Sequence, residues 1–185
     1  MTAGADEAGR GPLAGPVVGS AVVLTEEQRE LLICSGLKDS KKLTEAAREK
    51  IFSIINDIGV IWRARSASHA RIDDMNILQA SLWTMRESIL ALPRAVEYVI
   101  VDGNRIIPGL SIRQFPVVKA DASVPETMAA SIIAKVLRDR TMKRLDAIYP
   151  QYGFAKHKGY PTKEHRAAIA EYGPSPIHRL SFKLL

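Results

Sequence analysis

The sequence predicts an α/β layered fold with a mixed sheet. Short apolar, β-branched segments come first along the chain and are then interleaved with segments of helical periodicity. The length of 185 residues suits one domain, which is large enough to bury a core without disulfides or structural metal. The single cysteine, Cys34, follows an apolar run and is expected to be a small buried hydrophobic residue.

The N-terminal half predicts three strands and two helices. Thr25 and Gln28 have the spacing of a capping box, which begins a helix expected to stop near Gly36. Thr44 caps the next helix, and a segment of alternating apolar and polar residues follows as a strand. In chain order the elements are a strand at 2–6, a strand at 17–24, a helix at 25–36, a helix at 44–57 and a strand at 59–68.

The C-terminal half predicts the longest helices and two more strands. One nearly continuous apolar run suits a central strand, whereas Pro116 places the last strand near an edge of the sheet. Ser123 is expected to cap the longest helix, with Pro125 in its first turn. In chain order the elements are a helix at 73–92, strands at 96–101 and 112–118, a helix at 123–146 and a short helix at 163–172.

The charge balance permits a polyanionic partner. The formal net charge is +6 and the isoelectric point is about 9.5, which suits nucleic acid but is weak evidence alone. No apolar segment reaches the roughly 18 residues of a membrane span, and the chain does not open with a signal-peptide pattern. A cytoplasmic location is the resulting expectation.

Acidic residues lie at three predicted element ends, namely Asp6-Glu7, Asp102 and Asp121. Strand ends commonly form the active edge of an α/β sheet, where converging carboxylates would repel one another. Because a divalent cation removes that repulsion and hard oxygen ligands suit Mg²⁺ or Mn²⁺, the pattern indicates a metal site. Four carboxylates can hold two ions about 4 Å apart, a spacing suited to phosphodiester hydrolysis.

Each acidic position also has a structural explanation. Asp102 precedes a glycine and is suited to a turn, Asp121 is placed to cap a helix, and Asp6-Glu7 suits a solvated strand end. Neighbouring strand residues face opposite sides of a sheet. We therefore expect the short first strand to end or distort at the acidic pair if both side chains are to reach one site.

Three other features suggest contacts with a nucleic acid. The Gly9-Arg10-Gly11 loop offers close backbone approach and a guanidinium, although most such loops are simple turns. Ser40-Lys41-Lys42 can bind phosphate or be solvated surface, and Tyr160 can stack on a sugar or be a packing residue. His157 and His165 are expected at the surface.

Short blocks of distinctive residues follow one another over nearly the whole chain. They are residues 6–12, 39–43, 72–77, 101–103, 119–121, 129–136, 138–139, 152–154, 157–162 and 178–182. In this collinear order they resemble the ribonuclease HII family. The resemblance implies an RNase H-like fold, a mixed five-stranded sheet flanked by helices, with residues 1–150 as the catalytic domain and a helical C-terminal extension at 151–185 packed on it.

The resemblance also implies an activity and a site. The activity is hydrolysis of the RNA strand of RNA–DNA hybrids and incision 5′ of single ribonucleotides in duplex DNA, leaving 3′-hydroxyl and 5′-phosphate ends. The implied catalytic and metal-binding residues, with Mg²⁺ or Mn²⁺, are Asp6, Glu7, Asp102 and Asp121. The implied substrate contacts are Gly9, Arg10, Gly11, Ser40, Lys41 and Tyr160, with Asp139 behind the metal ligands or in a surface salt bridge.

Two other functions compete with this hypothesis. A nucleic-acid-binding module with an inactive site would bind duplexes with salt-dependent affinity and cut none of them. A phosphohydrolase for small phosphoesters would use similar carboxylates. The basic isoelectric point and the Arg10 loop weigh against the second alternative. A monomer is expected, and the sequence does not indicate a protein partner.

Overall fold

The computed structural model describes residues 1–93 and 95–185, and its strands form one mixed sheet. The strands are β1 (Thr2–Ala8), β2 (Val17–Val23), β3 (Ile61–Ala67), β4 (Tyr98–Asp102) and β5 (Arg113–Val117). Their order is β3-β2-β1-β4-β5. The β1–β2 and β2–β3 pairs are antiparallel, and the β1–β4 and β4–β5 pairs are parallel.

Helices cover both faces of this sheet. They are α1 (Glu26–Cys34), α2 (Glu45–Asp57), α3 (His69–Met75), α4 (Ile77–Leu90), α5 (Pro125–Ile148), α6 (Phe154–His157) and α7 (Lys163–Tyr172). Helix α5 lies across β1 and β2 on one face, with α1 and α2 packed beside it, and α4 lies on the other face. The prediction of a mixed five-stranded sheet flanked by helices is confirmed.

Two glycines allow the helices to approach the sheet closely. A Cβ on Gly4 would overlap the backbone of Glu126 and Thr127 at the start of α5. A Cβ on Gly19 would lie 2.7 Å from the backbone nitrogen of Met85 in α4. Because real Cβ atoms do not come this close, the sheet centre requires glycine at both positions.

Local sequence signals located most boundaries correctly. Thr25 and Gln28 form the predicted capping box, each side chain bonding the backbone nitrogen of the other. Thr44 caps α2 through the backbone nitrogen of Ala47, at 3.2 Å. Strand β5 lies at the edge of the sheet, as Pro116 predicted.

Three predictions about elements were wrong. The helix predicted at 73–92 is two helices, because Asn76 adopts φ 68° and caps α4 through its side chain. Ser123 is not the N-cap of α5, because a 3₁₀ turn at Ala120–Ala122 precedes it and the helix begins only at Pro125. Strand β1 continues to Ala8, so it neither ends nor distorts at the acidic pair.

The prediction of a buried Cys34 was also wrong. Cys34 is exposed as the last residue of α1. This short helix buries Leu32 on its inner face, which leaves Ile33 and Cys34 on the outer side. An apolar run of four residues cannot all face inward on a helix that lies on the surface.

The C-terminal residues pack against the end of α5 and the loop after β1. Leu13, Met142, Phe154 and Ile169 belong to one buried apolar cluster. The backbone nitrogen of Arg179 donates to the Leu13 carbonyl oxygen at 2.8 Å. The division of the chain at residue 150 stays a prediction.

Candidate metal centre and substrate cleft

Three acidic residues from distant parts of the sequence meet at one end of the sheet. Asp6 and Asp102 lie near the carboxyl ends of the adjacent parallel strands β1 and β4. Asp121 lies in the 3₁₀ turn before α5. One carboxylate oxygen from each residue lies within 4.8 Å of the other two. Asp6 and Asp121 are buried, and Asp102 is half-buried.

Glu7 lies beside this triad, outside the group of three. Because β1 runs straight through both acidic residues, Glu7 points to the sheet face opposite Asp6. Its Oε1 lies 3.5 Å from Arg10 Nη1. It still lines the cleft that Asp6 and Asp102 line.

The carboxylates are in an electrostatically unfavourable environment. Burial, followed by the charges of Glu7 and Asp102, holds the pKa of Asp6 well above its usual range. Burial also raises the pKa of Glu7, against an opposing effect of Arg10. The pKa of Asp102 is raised by burial and then by the charge of Asp121. Oxygen-only ligands under mutual repulsion fit a hard divalent cation such as Mg²⁺ or Mn²⁺.

Lys41 partly neutralises this group. Its Nζ donates to Asp121 Oδ2 at 2.7 Å, and this hydrogen bond raises the pKa of Lys41. The backbone nitrogen of Asp121 donates to Asp102 Oδ1 at 3.3 Å. An ammonium group from the cleft lining therefore offsets part of the negative charge of the triad.

A cleft of about 240 Å³ opens over the triad. The residues that line it come from distant parts of the sequence. The fold therefore brings most of the predicted site residues together. The predicted residues in its wall are Asp6, Glu7, Gly9, Arg10, Gly11, Ser40, Lys41, Asp102 and Tyr160. Asp121 and Asp139 lie behind this wall, and both are buried.

Two polar residues of the cleft wall, Ser131 and Lys135, were not predicted from the sequence as site residues. Lys135 Nζ donates to Asp139 Oδ1 at 2.8 Å and lies 5.8 Å from the centroid of the Tyr160 ring. Arg48 Nη2 also approaches Asp139, at 3.8 Å. Ser131, Lys135 and Asp139 recur every four residues along α5, which is the signal that would have placed them on one face.

Ser40 is buried, whereas the side chain of the neighbouring Lys41 is largely exposed. The Ser40 hydroxyl lies 2.7 Å from the Ser131 hydroxyl. It therefore joins the loop before α2 to α5 at the floor of the cleft. Tyr160, by contrast, is 41% exposed where it lines the cleft.

The expectation of surface histidines was wrong. His157 and His165 are buried, and their rings stack with centroids 4.4 Å apart. His165 Nε2 lies 3.0 Å from Nε2 of His178, which is also buried. The Gly- and Lys-rich composition around Gly159 is typical of a surface turn. In the structure Gly159, which lies between α6 and α7 in the chain, is buried, and the histidines of both helices are buried with it.

Comparison with known proteins now identifies the family. The family model described as "Ribonuclease HII" matches residues 3–185. The chain belongs to the ribonuclease HII family. A ribonuclease HII from Acinetobacter baylyi is 50% identical over 98% of this chain and 94% of its own length. One from Shewanella sp. is 49% identical over 99% of this chain and 88% of its own length.

Solved structures of ribonucleases HII have the same fold. The ribonuclease H2 of Pyrococcus horikoshii matches with a TM-score of 0.82 and 32% identity, covering 99% of this chain and 94% of that one. The enzyme of Archaeoglobus fulgidus, solved as a complex with PCNA, matches with a TM-score of 0.80 and 30% identity over 97% of this chain and 92% of that one. Bst-RNase HIII, solved with Mn²⁺, has a TM-score of 0.82 at 19% identity, covering 99% of this chain and 67% of that one; this shows the fold alone.

As a member of this family, the protein is a metal-dependent endoribonuclease of the type that cleaves the RNA of RNA–DNA hybrids. The roles of its individual residues stay predictions. Among the described residues, no helix combines the length and the apolar character that crossing a membrane would require.

Proposed function

We propose that this protein cuts 5′ of single ribonucleotides embedded in duplex DNA as well as within the RNA strand of hybrids. The products of this reaction have 3′-hydroxyl and 5′-phosphate ends. The observation that supports the proposal best is that Asp6 and Asp102 of the triad, with Asp121 behind them, line the same cleft as the Gly9-Arg10-Gly11 loop and Tyr160.

The carboxylates are proposed as the metal ligands. Asp6, Asp102 and Asp121 would hold Mg²⁺ or Mn²⁺. Glu7 leaves the opposite face of β1 but lines the same cleft, and from there it would complete a two-ion site. Bound divalent ions supply a lowered pKa for the attacking water and charge stabilisation at the leaving oxygen. Asp139 acts behind this site by holding Lys135 in the cleft wall.

Selection for ribose is assigned to the loop and Tyr160. The backbone nitrogens of Arg10 and Gly11 have no acceptor among the residues that the structure describes, and both residues are exposed. They can donate to a ribose hydroxyl, which is the group that distinguishes RNA from DNA. Tyr160 lies directly beside this loop, since a Cβ on Gly11 would lie 3.5 Å from its Cε1.

Phosphate contacts are assigned to the loop at 40–42. Lys41 is the exposed cation nearest the triad and would transfer its hydrogen bond from Asp121 to a phosphate oxygen. Ser40 is proposed to support this contact from below, through its bond to Ser131. We retain the expectations of a monomeric protein and a cytoplasmic location as proposals.

One cleavage assay separates this function from its alternatives. The pure chain is incubated with Mg²⁺ or Mn²⁺ and three duplexes, namely DNA with one ribonucleotide, an RNA–DNA hybrid and all-DNA. Cleavage of the first two with the all-DNA duplex intact is expected. Equal cleavage of all three would contradict ribose selection, and binding without any cleavage would support an inactive binding module.

A further inference from the structure

Two arginines are completely buried beneath the Gly9-Arg10-Gly11 loop. Arg138, on α5, and Arg179, near the C-terminus, are both 0% exposed. In the part of the chain that the structure describes, neither guanidinium forms a salt bridge within 4.0 Å of a carboxylate. A buried charge without a carboxylate partner is costly, which indicates a role beyond packing.

The two guanidiniums bond to backbone carbonyl oxygens of the segment after β1. Arg179 donates to Gly9, Arg10 and Gly15, at 2.7, 3.1 and 3.0 Å. Arg138 donates to Pro16 at 2.9 Å and to Ala14 at 3.2 Å. These bonds hold the loop carbonyls toward the interior, while the backbone nitrogens of Arg10 and Gly11 remain without acceptors in the described structure.

Arg138 also connects the loop to Tyr160. A Cβ on Gly9 would overlap the Arg138 guanidinium, so the loop backbone lies directly on it. The Arg138 Cζ lies 5.9 Å from the centroid of the Tyr160 ring. Its Nη1 is buried and has no hydrogen-bond partner among the described residues. One guanidinium therefore lies near both parts of the proposed ribose-selecting surface.

Both arginines remain charged at neutral pH. Burial lowers the pKa of Arg138 to about 10 and that of Arg179 to about 9, in the second case with a further effect of the Arg138 charge. Backbone carbonyls accept their hydrogen bonds but do not cancel the charges. Each charged guanidinium therefore keeps its full set of N–H donors, with which it holds the loop carbonyls.

We propose that Arg138 and Arg179 are positioning residues for ribose recognition, which fix the loop backbone and, through Arg138, the neighbouring Tyr160 ring. They do not contact the substrate themselves. The proposal rests on the proposed function, because it assigns the loop and Tyr160 to the ribose.

The test compares Arg138→Lys and Arg179→Lys with the wild type. The matched control is Arg140→Lys, on the same helix, where the arginine is paired with Glu49 at the surface. Dissociation constants are measured in Ca²⁺, chosen to limit cleavage, for a DNA duplex with one ribonucleotide and for the same all-DNA duplex. Mn²⁺ affinity and the thermal midpoint are measured on every variant.

The preference is the dissociation constant for the all-DNA duplex divided by that for the ribonucleotide duplex. In each lysine variant we expect this ratio to fall about tenfold, since a lost charged hydrogen bond costs about 1.5 kcal/mol. Mn²⁺ affinity and the Arg140→Lys control should match the wild type. A preference kept at the wild-type ratio, or an equal loss for both duplexes, would overturn the proposal. A wild type without any preference for the ribonucleotide would instead contradict the proposed function.

If the lysine variants do not fold, the wild type provides the decisive measurement. With ¹⁵N-labelled arginine, the Nε–H resonances of Arg138 and Arg179 should shift when the ribonucleotide duplex is added. The all-DNA duplex should move them much less. Identical shifts with both duplexes would contradict a role in ribose recognition.

Discussion

Asp102 is the residue whose replacement tests the metal centre most simply. It ends β4, is the most accessible member of the triad, and accepts a hydrogen bond from the Asp121 backbone. Asp102→Asn keeps the shape and removes one charged ligand. We expect cleavage to fall by about a thousandfold or more, since metal stabilisation of the transition state is worth several kcal/mol.

Duplex binding provides the control for this variant. Because Asp102→Asn removes a negative charge from the cleft, affinity for a ribonucleotide duplex without divalent ions should be unchanged or slightly higher. Asp57→Asn, at the exposed end of α2, should cleave like the wild type. Normal cleavage by Asp102→Asn would show that the assigned ligands are wrong.

The sequence predicted individual site residues unevenly. The positions of Asp6, Asp102 and Asp121 at element ends predicted that they converge, and the structure brings them within 4.8 Å. Lys135 was not predicted, because its neighbour Tyr160 comes from a different part of the chain. Solvent exposure, as for Cys34, depends on which side of a helix meets the core, and the residue type alone does not determine this.

At the scale of elements, the break between α3 and α4 depends on one residue. Asn76 has φ 68° and ψ 162°, a combination that is favourable only for glycine, and its side chain accepts from the Gln79 backbone nitrogen at 3.1 Å. Asn76→Ala retains the strain and loses the cap. Asn76→Gly also loses the cap but relieves the strain.

Chemical denaturation of the two variants measures the difference. We expect Asn76→Ala to be less stable than Asn76→Gly by at least about 1 kcal/mol in the free energy of unfolding. Asn76→Gly should be within about 1 kcal/mol of the wild type, because the two effects oppose each other. Equal stabilities of the two variants would mean that the break is not strained.

Element boundaries were predictable wherever a side chain acts on its own neighbours. The caps at Thr25 and Thr44 are local hydrogen bonds, and both were predicted from spacing. Asn76 follows the same rule, but the apolar periodicity continues through it and indicated one uninterrupted helix. Serine is a residue type that often caps helices, but Ser123 does not cap α5, because the preceding 3₁₀ turn determines where this helix begins.

At the scale of the whole molecule, a chain of neutral histidines joins α7 to the C-terminal segment. His165 Nδ1 donates to the Tyr160 carbonyl oxygen at 2.9 Å, so its Nε2 must accept from His178 Nε2. His178 Nδ1 in turn accepts from the Ser175 backbone nitrogen at 2.8 Å. A further proton on either ring would remove one of these acceptors.

This arrangement predicts how stability depends on pH. Burial lowers the pKa of His165 to about 4 from 6.5, and burial also lowers that of His178. The unfolded chain then binds more protons between these values, so the histidine contribution to stability is complete above pH 6.5 and is lost as the pH falls toward 4. For His165 the loss amounts to about 3 kcal/mol.

Comparing variants isolates this contribution from that of the carboxylates. The free energy of unfolding is measured between pH 6.5 and 4 for the wild type, His165→Asn and His69→Asn, the last lying outside the histidine chain. The free energy of unfolding should fall less steeply with decreasing pH in His165→Asn than in His69→Asn, which keeps the buried His165. Parallel curves for all three proteins would contradict a neutral buried His165.

The order of the strands in the sheet was the feature that local sequence patterns predicted least well. Periodicity predicted five strands but not their order, and it is the parallel pairing of β1 with β4 that brings Asp6 beside Asp102. The resemblance to the ribonuclease HII family supplied this long-range information. The buried arginines beneath the loop were not predicted, because charged residues are seldom buried without a partner.

The central claim is that Asp6, Asp102 and Asp121 bind divalent ions. Anomalous scattering from crystals grown with Mn²⁺ tests it most directly, with Asp102→Asn crystals as the comparison. The wild type should show a strong peak within coordination distance of all three carboxylates, and the variant should show a weakened peak or none. A wild-type peak elsewhere in the molecule, with an empty triad, would contradict the account.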